Sequence, residues 1–453
     1  MAGGHGPAVS REPDPRAAVE AVWRIESARL VGALARVTGD FALAEDLAQE
    51  ALAEALVSWP RDGVPRSPAG WLMTVGKRRA IDRFRRSSAL TDRYAALARD
   101  LSEGQSSSGV PTSARGGGSL GVVGSREAAD PADGDLLWDP DRIDDDVLAL
   151  IFIACHPVLS REASIALTLR VVGGLGSEEI ARAFMVPTAT VQARITRAKK
   201  TLAAAQVAFE VPRERERGER LSQVLSVVYL IFTEGSTATA GESLMRVDLA
   251  REAIRLARVL AQLLPQEPEV FGLLALLELA AARFPARQDA QGRPVLLDHQ
   301  DRGRWDRSAI RRGSAALRQA ASLGRGLGAY GLQAAIAECH DIAPRFDLTD
   351  WDRIVVLYEA LGHLAPSPVV DLNRAVAVSM AEGPATALRI VDRLRHDKTL
   401  RGSHLLPTVR GELLTRLGRA EEARAELEEA LRLCGNEAEQ HVLQGKLRAL
   451  PIR

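Results

Sequence analysis

Alternating runs of β-branched residues, the mark of a half-buried strand, are almost missing from this chain of 453 residues. Alanine, leucine, arginine and glutamate take their place, and apolar residues return every three or four positions. These are strong helix formers at helical spacing, so the expected class is all-α. The pattern fails in three places. Residues 1–16 are rich in Gly and Pro. The stretch after Ser87 carries "SEGQSSSGVPTSARGGGSLGVVGS", flexible by composition. A third break, "EVPRERERGER" (residues 210–220), reads as a charged hinge or helix start. The map is then a disordered tail (1–16), a helical module (17–88), a flexible linker (89–142), a second helical module (143–206) and a large helical region (207–453).

Lys plus Arg and Asp plus Glu both number 59, so mean charge excludes no partner and only local charge informs. The linker is acidic: from Ala89 to Asp146 there are twelve acidic and five basic side chains. Such a run is either solvated or a mimic of nucleic acid in a basic channel. The three cysteines, Cys155, Cys339 and Cys434, are too far apart in sequence for a disulfide framework or a zinc motif. No cofactor or metal is expected. The N-terminus lacks the apolar stretch of a signal peptide, and the most apolar runs (147–155 and 224–232) are too short to span a bilayer. A soluble cytoplasmic protein with no membrane partner is expected.

Residues 70–86, "GWLMTVGKRRAIDRFRR", place six cations beside one acid, Asp82. On a helix, Leu72, Met73, Gly76, Ala80, Ile81 and Phe84 share one half of the wheel. Arg78, Arg79, Asp82, Arg85 and Arg86 share the other. Trp71 projects among the arginines. Either this is a solvated cationic face with a Trp packed by Arg stems, or it tracks phosphates and stacks an unpaired base on the indole.

Residues 174–202, "GLGSEEIARAFMVPTATVQARITRAKKTL", read as a helix-turn-helix. Ser177 caps a first helix whose opening turn holds Glu178 and Glu179, as the helix dipole favours. Pro187 suits the start of a second helix. There Val191, Ile195, Ala198 and Leu202 form a buried stripe. Thr190, Gln192, Thr196, Arg197 and Lys200 lie opposite, suited to base edges and phosphates.

Two basic helical modules in this order resemble the sigma-70-type transcription initiation factors of bacteria, of the extracytoplasmic-function (ECF) kind. "ALAEDLAQEALAEAL" (residues 42–56) is similar to the family's polymerase-binding helix, and "PAGWLMTVGKRRAIDRFRR" to its promoter-melting helix. The resemblance implies that Asp46, Gln49 and Glu50 contact the β′ clamp of core RNA polymerase; on the wheel they share an arc with Ala53, away from Leu43, Leu47 and Ala51. It implies that the loop 60–68 captures a flipped minus-ten base. Trp71, Lys77, Arg78, Arg79, Arg83 and Arg86 would hold the melted strand. Thr188, Thr190, Gln192, Thr196, Arg197 and Lys200 would read the minus-thirty-five element of promoter DNA. The second module would meet the β flap, and the acidic linker would thread the polymerase cleft.

More than two hundred residues follow. Leu406 to Leu433 fits the tetratricopeptide frame, with Gly411, Leu414, Gly418, Ala423, Leu427 and Ala430 at its small and apolar positions. A weaker copy runs through Ala375, Val378, Glu382, Ala387, Val391 and Leu394, and residues 249–283 read as another helix pair. Small residues let two helices pack closely, and stacked hairpins share one core. "YLIFTEG", "DHQDRGRWDRSAI" and "PSPVVDLNRAVAV" resemble segments of the ECF subgroup with a tetratricopeptide-like C-terminal extension. The resemblance implies regulation within the same chain, with the repeats offering a surface to a protein or ligand partner.

An enzyme is the rival from another class. Asp144 to Asp146 suggest a magnesium site, but acids suit a helix start and no second metal motif accompanies them. Cys155-His156 lies in an apolar run and reads as packing, and Gly326, Gly328 and Gly331 match a dinucleotide fingerprint without the strand it needs. No catalytic residue is assigned. A stand-alone helix-turn-helix regulator with a helical sensor domain is the alternative, but it leaves "DLAQEAL" and the Trp-bearing basic helix unexplained.

Overall fold

The computed structural model describes residues 15–105, 140–236, 246–435 and 437–451. Among these it is all-helical, apart from one antiparallel bridge between Gln288 and Pro294. The expected tail falls mostly outside the described residues, as does the linker between 106 and 139. The chain divides into two compact units, the first Met1–Ser177 with Gln192–Glu216, the second Glu178–Val191 with Arg217–Arg453.

The first unit is built on α1 (Pro15–Thr38), α2 (Phe41–Asp62), α3 (Pro68–Gln105), α4 (Pro140–Ala154) and α5 (Arg161–Val171). Helix α1 buries Val19, Trp23, Leu30, Val31 and Leu34 and packs against α2, α3 and α4. Two glycines set the spacing. A Cβ on Gly76 would stand 3.1 Å from Leu34, and one on Gly32 would stand 3.0 Å from the Asp146 backbone. Asp40 caps α2 by accepting from the amides of Ala42 and Leu43. Gly63, at φ 88°, ends it.

Helix α3 differs from expectation. It runs on to Gln105, so residues 89–105 of the expected linker are helical. The physical reason is local: "ALTDRYAALARDL" is a run of good helix formers with neither Pro nor Gly. Helix α4 likewise begins at Pro140, which places Asp144 to Asp146 in its second turn rather than at its cap. Asp146 is buried and accepts twice from Arg36 Nε, at 3.1 and 3.0 Å.

Helix α6 (Ser177–Phe184), a turn at Met185–Pro187 and α7 (Thr188–Ala204) follow. Met185 adopts φ 49°, and Val186 N–H closes the turn on Ala181 O at 3.1 Å. The second unit continues through α8 (Glu214–Ser236), α9 (Val247–Leu263), α10 (Pro268–Ala282), α11 (Arg307–Ser322), α12 (Ala329–Ile342), α13 (Trp351–Leu364), α14 (Pro368–Ala381), α15 (Pro384–Leu394), α16 (Leu405–Arg416), α17 (Ala420–Leu433) and α18 (Glu437–Ala449). Pro268, Pro368 and Pro384 open their helices, and Asp306 and Asp350 cap theirs.

The repeat frame read from sequence corresponds to helical hairpins. α14 pairs with α15 and α16 with α17, over one core of Ala375, Val378, Ala387, Val391, Leu414, Ala423, Leu427 and Ala430. A Cβ on Gly411 would come within 2.9 Å of the Leu427 side chain, so a larger residue would force Leu427 to shift. Arg410 joins the hairpins by donating to Asp392 at 2.8 Å and Glu426 at 2.6 Å. The glycine pattern near 326–331 opens α12 rather than following a strand. At the start of α12 the Glu269 carboxylate already accepts from Tyr330 N and Gly331 N.

Candidate nucleic-acid and protein interface

Buried Leu47, Ala51, Ala55 and Trp59 face α2 inward, while Asp46 and Ala53 are exposed and Gln49 and Glu50 are half-buried. The arc deduced from the wheel is therefore where the structure puts it. Its acids already have partners. Lys199 on α7 donates to Asp46 Oδ1 at 3.1 Å. Glu50 pairs with Arg79 at 2.9 Å and stands 4.0 Å from Arg83, and Arg79 reaches on to Glu54 at 2.6 Å. Hydrogen bonding to Glu54 leads the rise of the Arg79 pKa above the ordinary arginine value, with burial opposing it.

Sequence reading missed Glu45. Its side chain is only 5% exposed and is held by Lys199 and by Arg170 Nε, the latter at 3.3 Å. Burial works against the Lys199 ammonium, but the carboxylates of Glu45 and Asp46 outweigh it and raise its pKa above the usual lysine value. With Arg36–Asp146, these pairs bind the acidic face of α2 and the flank of α1 to Asp146 of α4, Arg170 of α5 and Lys199 of α7, all within the first unit. The wheel held a signal, because Glu45 falls about 60° from buried Ala48, nearer the core than Asp46.

Helix α3 buries Leu72, Met73, Gly76 and Ala80, as expected. Phe84 departs from the expected stripe and is 43% exposed. Trp71 is half-buried rather than projecting freely: its ring meets buried Trp59 edge-on, with centroids 5.6 Å apart. Arg78, Arg83 and Arg86 are exposed and Lys77 is half-buried. The loop after α2 is shorter than 60–68, because the helix continues through Pro60 to Asp62.

On α7, Val191, Ile195, Ala198 and Leu202 are buried. Gln192, Thr196, Arg197 and Lys200 are exposed, and Thr188 and Thr190 are half-buried. Cys155 is buried beside Thr168 Oγ1 at 3.4 Å, as its apolar setting implied.

Exposed cations along α3 and a turn-separated helix with polar and basic residues facing outward define a helical DNA-binding protein of two modules. Residues 24–89 match the family described as sigma-70 region 2, and residues 149–202 match sigma-70, region 4. Residues 220–321 match a family of unknown function, DUF6596. An uncharacterised protein of Rhizobium meliloti (strain 1021) is 44% identical over 410 residues, covering 90% of each chain. No solved structure matches. The chain belongs to the sigma-70 family of RNA polymerase sigma factors, as an ECF-type member with a helical C-terminal extension. Its regions 2 and 4 make it a factor for promoter-directed transcription initiation that engages core RNA polymerase and promoter DNA. Such families are non-enzymatic. Among the described residues no helix is long and apolar enough to cross a membrane.

Proposed function

We propose that Asp46, Gln49 and Glu50 contact the β′ clamp of core polymerase and that region 4 meets the β flap. Trp71, Lys77, Arg78, Arg79, Arg83 and Arg86 hold the melted minus-ten strand. The outer face of α7, from Thr188 to Lys200, reads the minus-thirty-five element. The observation that carries this reading is the outward cationic rank of α3 set beside the acid-lined face of α2 on one scaffold. In the free chain Asp46 is engaged by Lys199, and Glu50 by Arg79 and Arg83. Polymerase binding then proceeds by exchange of partners, and the factor works in the cytoplasm where its template lies.

The C-terminal extension regulates this exchange. Support comes from Glu178–Val191, the first half of the helix-turn-helix, which belongs to the same compact unit as Arg217–Arg453. In vitro transcription with core enzyme on a promoter library tests both parts. Full-length protein should start RNA at discrete sites with permanganate-reactive thymines near minus ten, and removal of residues 219–453 should change that output. Absence of any specific start refutes the initiation reading; output unchanged by truncation refutes the regulatory one.

A further inference from the structure

The sequence spacing of the cysteines argues against a zinc motif, yet the fold brings one of them to two other donors. His404 stands at the N-cap of α16, Cys434 at the C-cap of α17 and Glu439 in the first turn of α18. Their ligand atoms all lie within 4.8 Å of one another. His404 Nε2 is 3.0 Å from Glu439 Oε2, and Cys434 Sγ is 3.7 Å from the same oxygen. Tetrahedral zinc, with bonds of about 2.0–2.3 Å, sets its N–O and S–O ligand edges at about 3.3 and 3.5 Å. The two separations bracket those edges; the His404–Cys434 separation, within 4.8 Å against an N–S edge of about 3.6 Å, must close by side-chain rotation for a metal to be held.

We propose that His404, Cys434 and Glu439 form a binding site for a zinc-type divalent metal at the end of the C-terminal extension. The donor set argues for that class. One thiolate, one imidazole and one carboxylate suit a borderline-soft ion, whereas calcium and magnesium favour oxygen alone. The backbones are fixed before any metal arrives. His404 O accepts from Thr408 N and Oγ1, at 3.0 and 2.7 Å. Cys434 N–H donates to Ala430 O at 3.0 Å, and Cys434 O accepts from Gln440 Nε2 at 2.6 Å. Cys434 is buried, while the side chains of His404 and Glu439 are 26% and 47% exposed. Three protein ligands with one side toward solvent leave the fourth position to water, the pattern of an exchangeable site rather than a closed one. Binding there would tie α18 to the α16–α17 hairpin, and the thiol must lose its proton to the solvent on binding.

The test uses the full-length, tag-free protein stripped with chelator and titrated with cobalt(II), then with zinc. One cobalt per chain should bind with thiolate-to-cobalt charge-transfer absorption, and zinc should displace it and raise the thermal midpoint. Cys434→Ser should remove the absorption band, and His404→Gln should weaken zinc binding by about tenfold or more while keeping the thiolate band. Far-UV circular dichroism confirms that both variants are folded. Cys155→Ser and Cys339→Ser should leave the band intact. The proposal is overturned if no thiolate–cobalt band appears, if Cys434→Ser retains it, or if zinc leaves the melting of the parent chain unchanged.

Discussion

Glu45 is the residue whose replacement tests the ionic clasp of the first unit most sharply. Its side chain is 5% exposed and faces Lys199 and Arg170, themselves 18% and 19% exposed. Removing one partner of a buried pair costs about 3–5 kcal/mol, because the remaining charge is left desolvated. Here Lys199 keeps Asp46 and Arg170 keeps the carbonyl of Leu175, so Glu45→Gln should cost less, about 2–3 kcal/mol. Lys199→Met keeps the aliphatic stem and removes the ammonium without touching the exposed face of α7. A double-mutant cycle over Glu45→Gln and Lys199→Met, followed by urea denaturation, should return a coupling of about 1.5–3 kcal/mol. Lys199→Met should also tighten binding to core polymerase, since Asp46 no longer needs to be released. The Lys199–Asp46 contact sets the cap on that gain: with the Asp46 side chain 58% exposed it is worth at most about 1 kcal/mol, or about fivefold. Strictly additive single effects would refute the clasp; coupling without any gain in polymerase affinity would refute its opposition to engagement.

Other outcomes are open to direct measurement. Trp71→Ala should lose about 0.5–1.5 kcal/mol of stability with the Trp59 edge contact, and a further loss of about 1–3 kcal/mol of base stacking should appear as weaker permanganate reactivity in the open complex. Gly272→Ala should destabilise the second unit by about 1–3 kcal/mol, because its Cβ would fall 2.6 Å from the Gly331 amide. Asp341 and His340 make stability depend on pH. Burial raises the Asp341 carboxyl to about 7 against the pull of Arg283, Arg302 and Arg307 and with Glu338 adding to the rise. The folded state therefore holds the proton longer, and the stability it contributes is full below about 4 and is lost as pH rises to 7. His340, pushed down to about 4 by burial and by Arg283 and Arg302, acts in the opposite sense between about 4 and 6.5. Asp341→Asn should remove the first effect, so its stability relative to the parent, followed by thermal melts, should increase steadily from pH 4 to 7.

Periodicity carried much of this fold. The stripes on α2 and α7 and the small residues of the C-terminal hairpins are local patterns, and they fall where helical geometry puts them. Gly411 was readable because one absent Cβ decides how two helices approach. What the sequence hid was distant or continuous. Lys199 lies 153 positions from Asp46, and no spacing rule connects them. Asp144 to Asp146 looked alike in sequence, but only Asp146 meets Arg36, because α4 starts four residues before the acids. The wheel gave no depth for Trp71, since the Trp59 it packs against comes from the preceding helix. The three donors His404, Cys434 and Glu439 come from separate helix ends, which no linear motif encodes.

One consequence of the Glu50–Arg79–Arg83 arrangement concerns the order of assembly. Under the proposed contacts, the carboxylate offered to the enzyme is the one that faces two of the guanidinium groups offered to the template. On that proposal, idle protein would have a blunted appetite for bulk chromosomal DNA. Under the same contacts, a clamp that claims Glu50 would release Arg83 at the place where strands are to be opened, while Arg79 keeps Glu54. Docking on the enzyme would thereby become the licence for grasping nucleic acid, and loitering on irrelevant sequences would be discouraged.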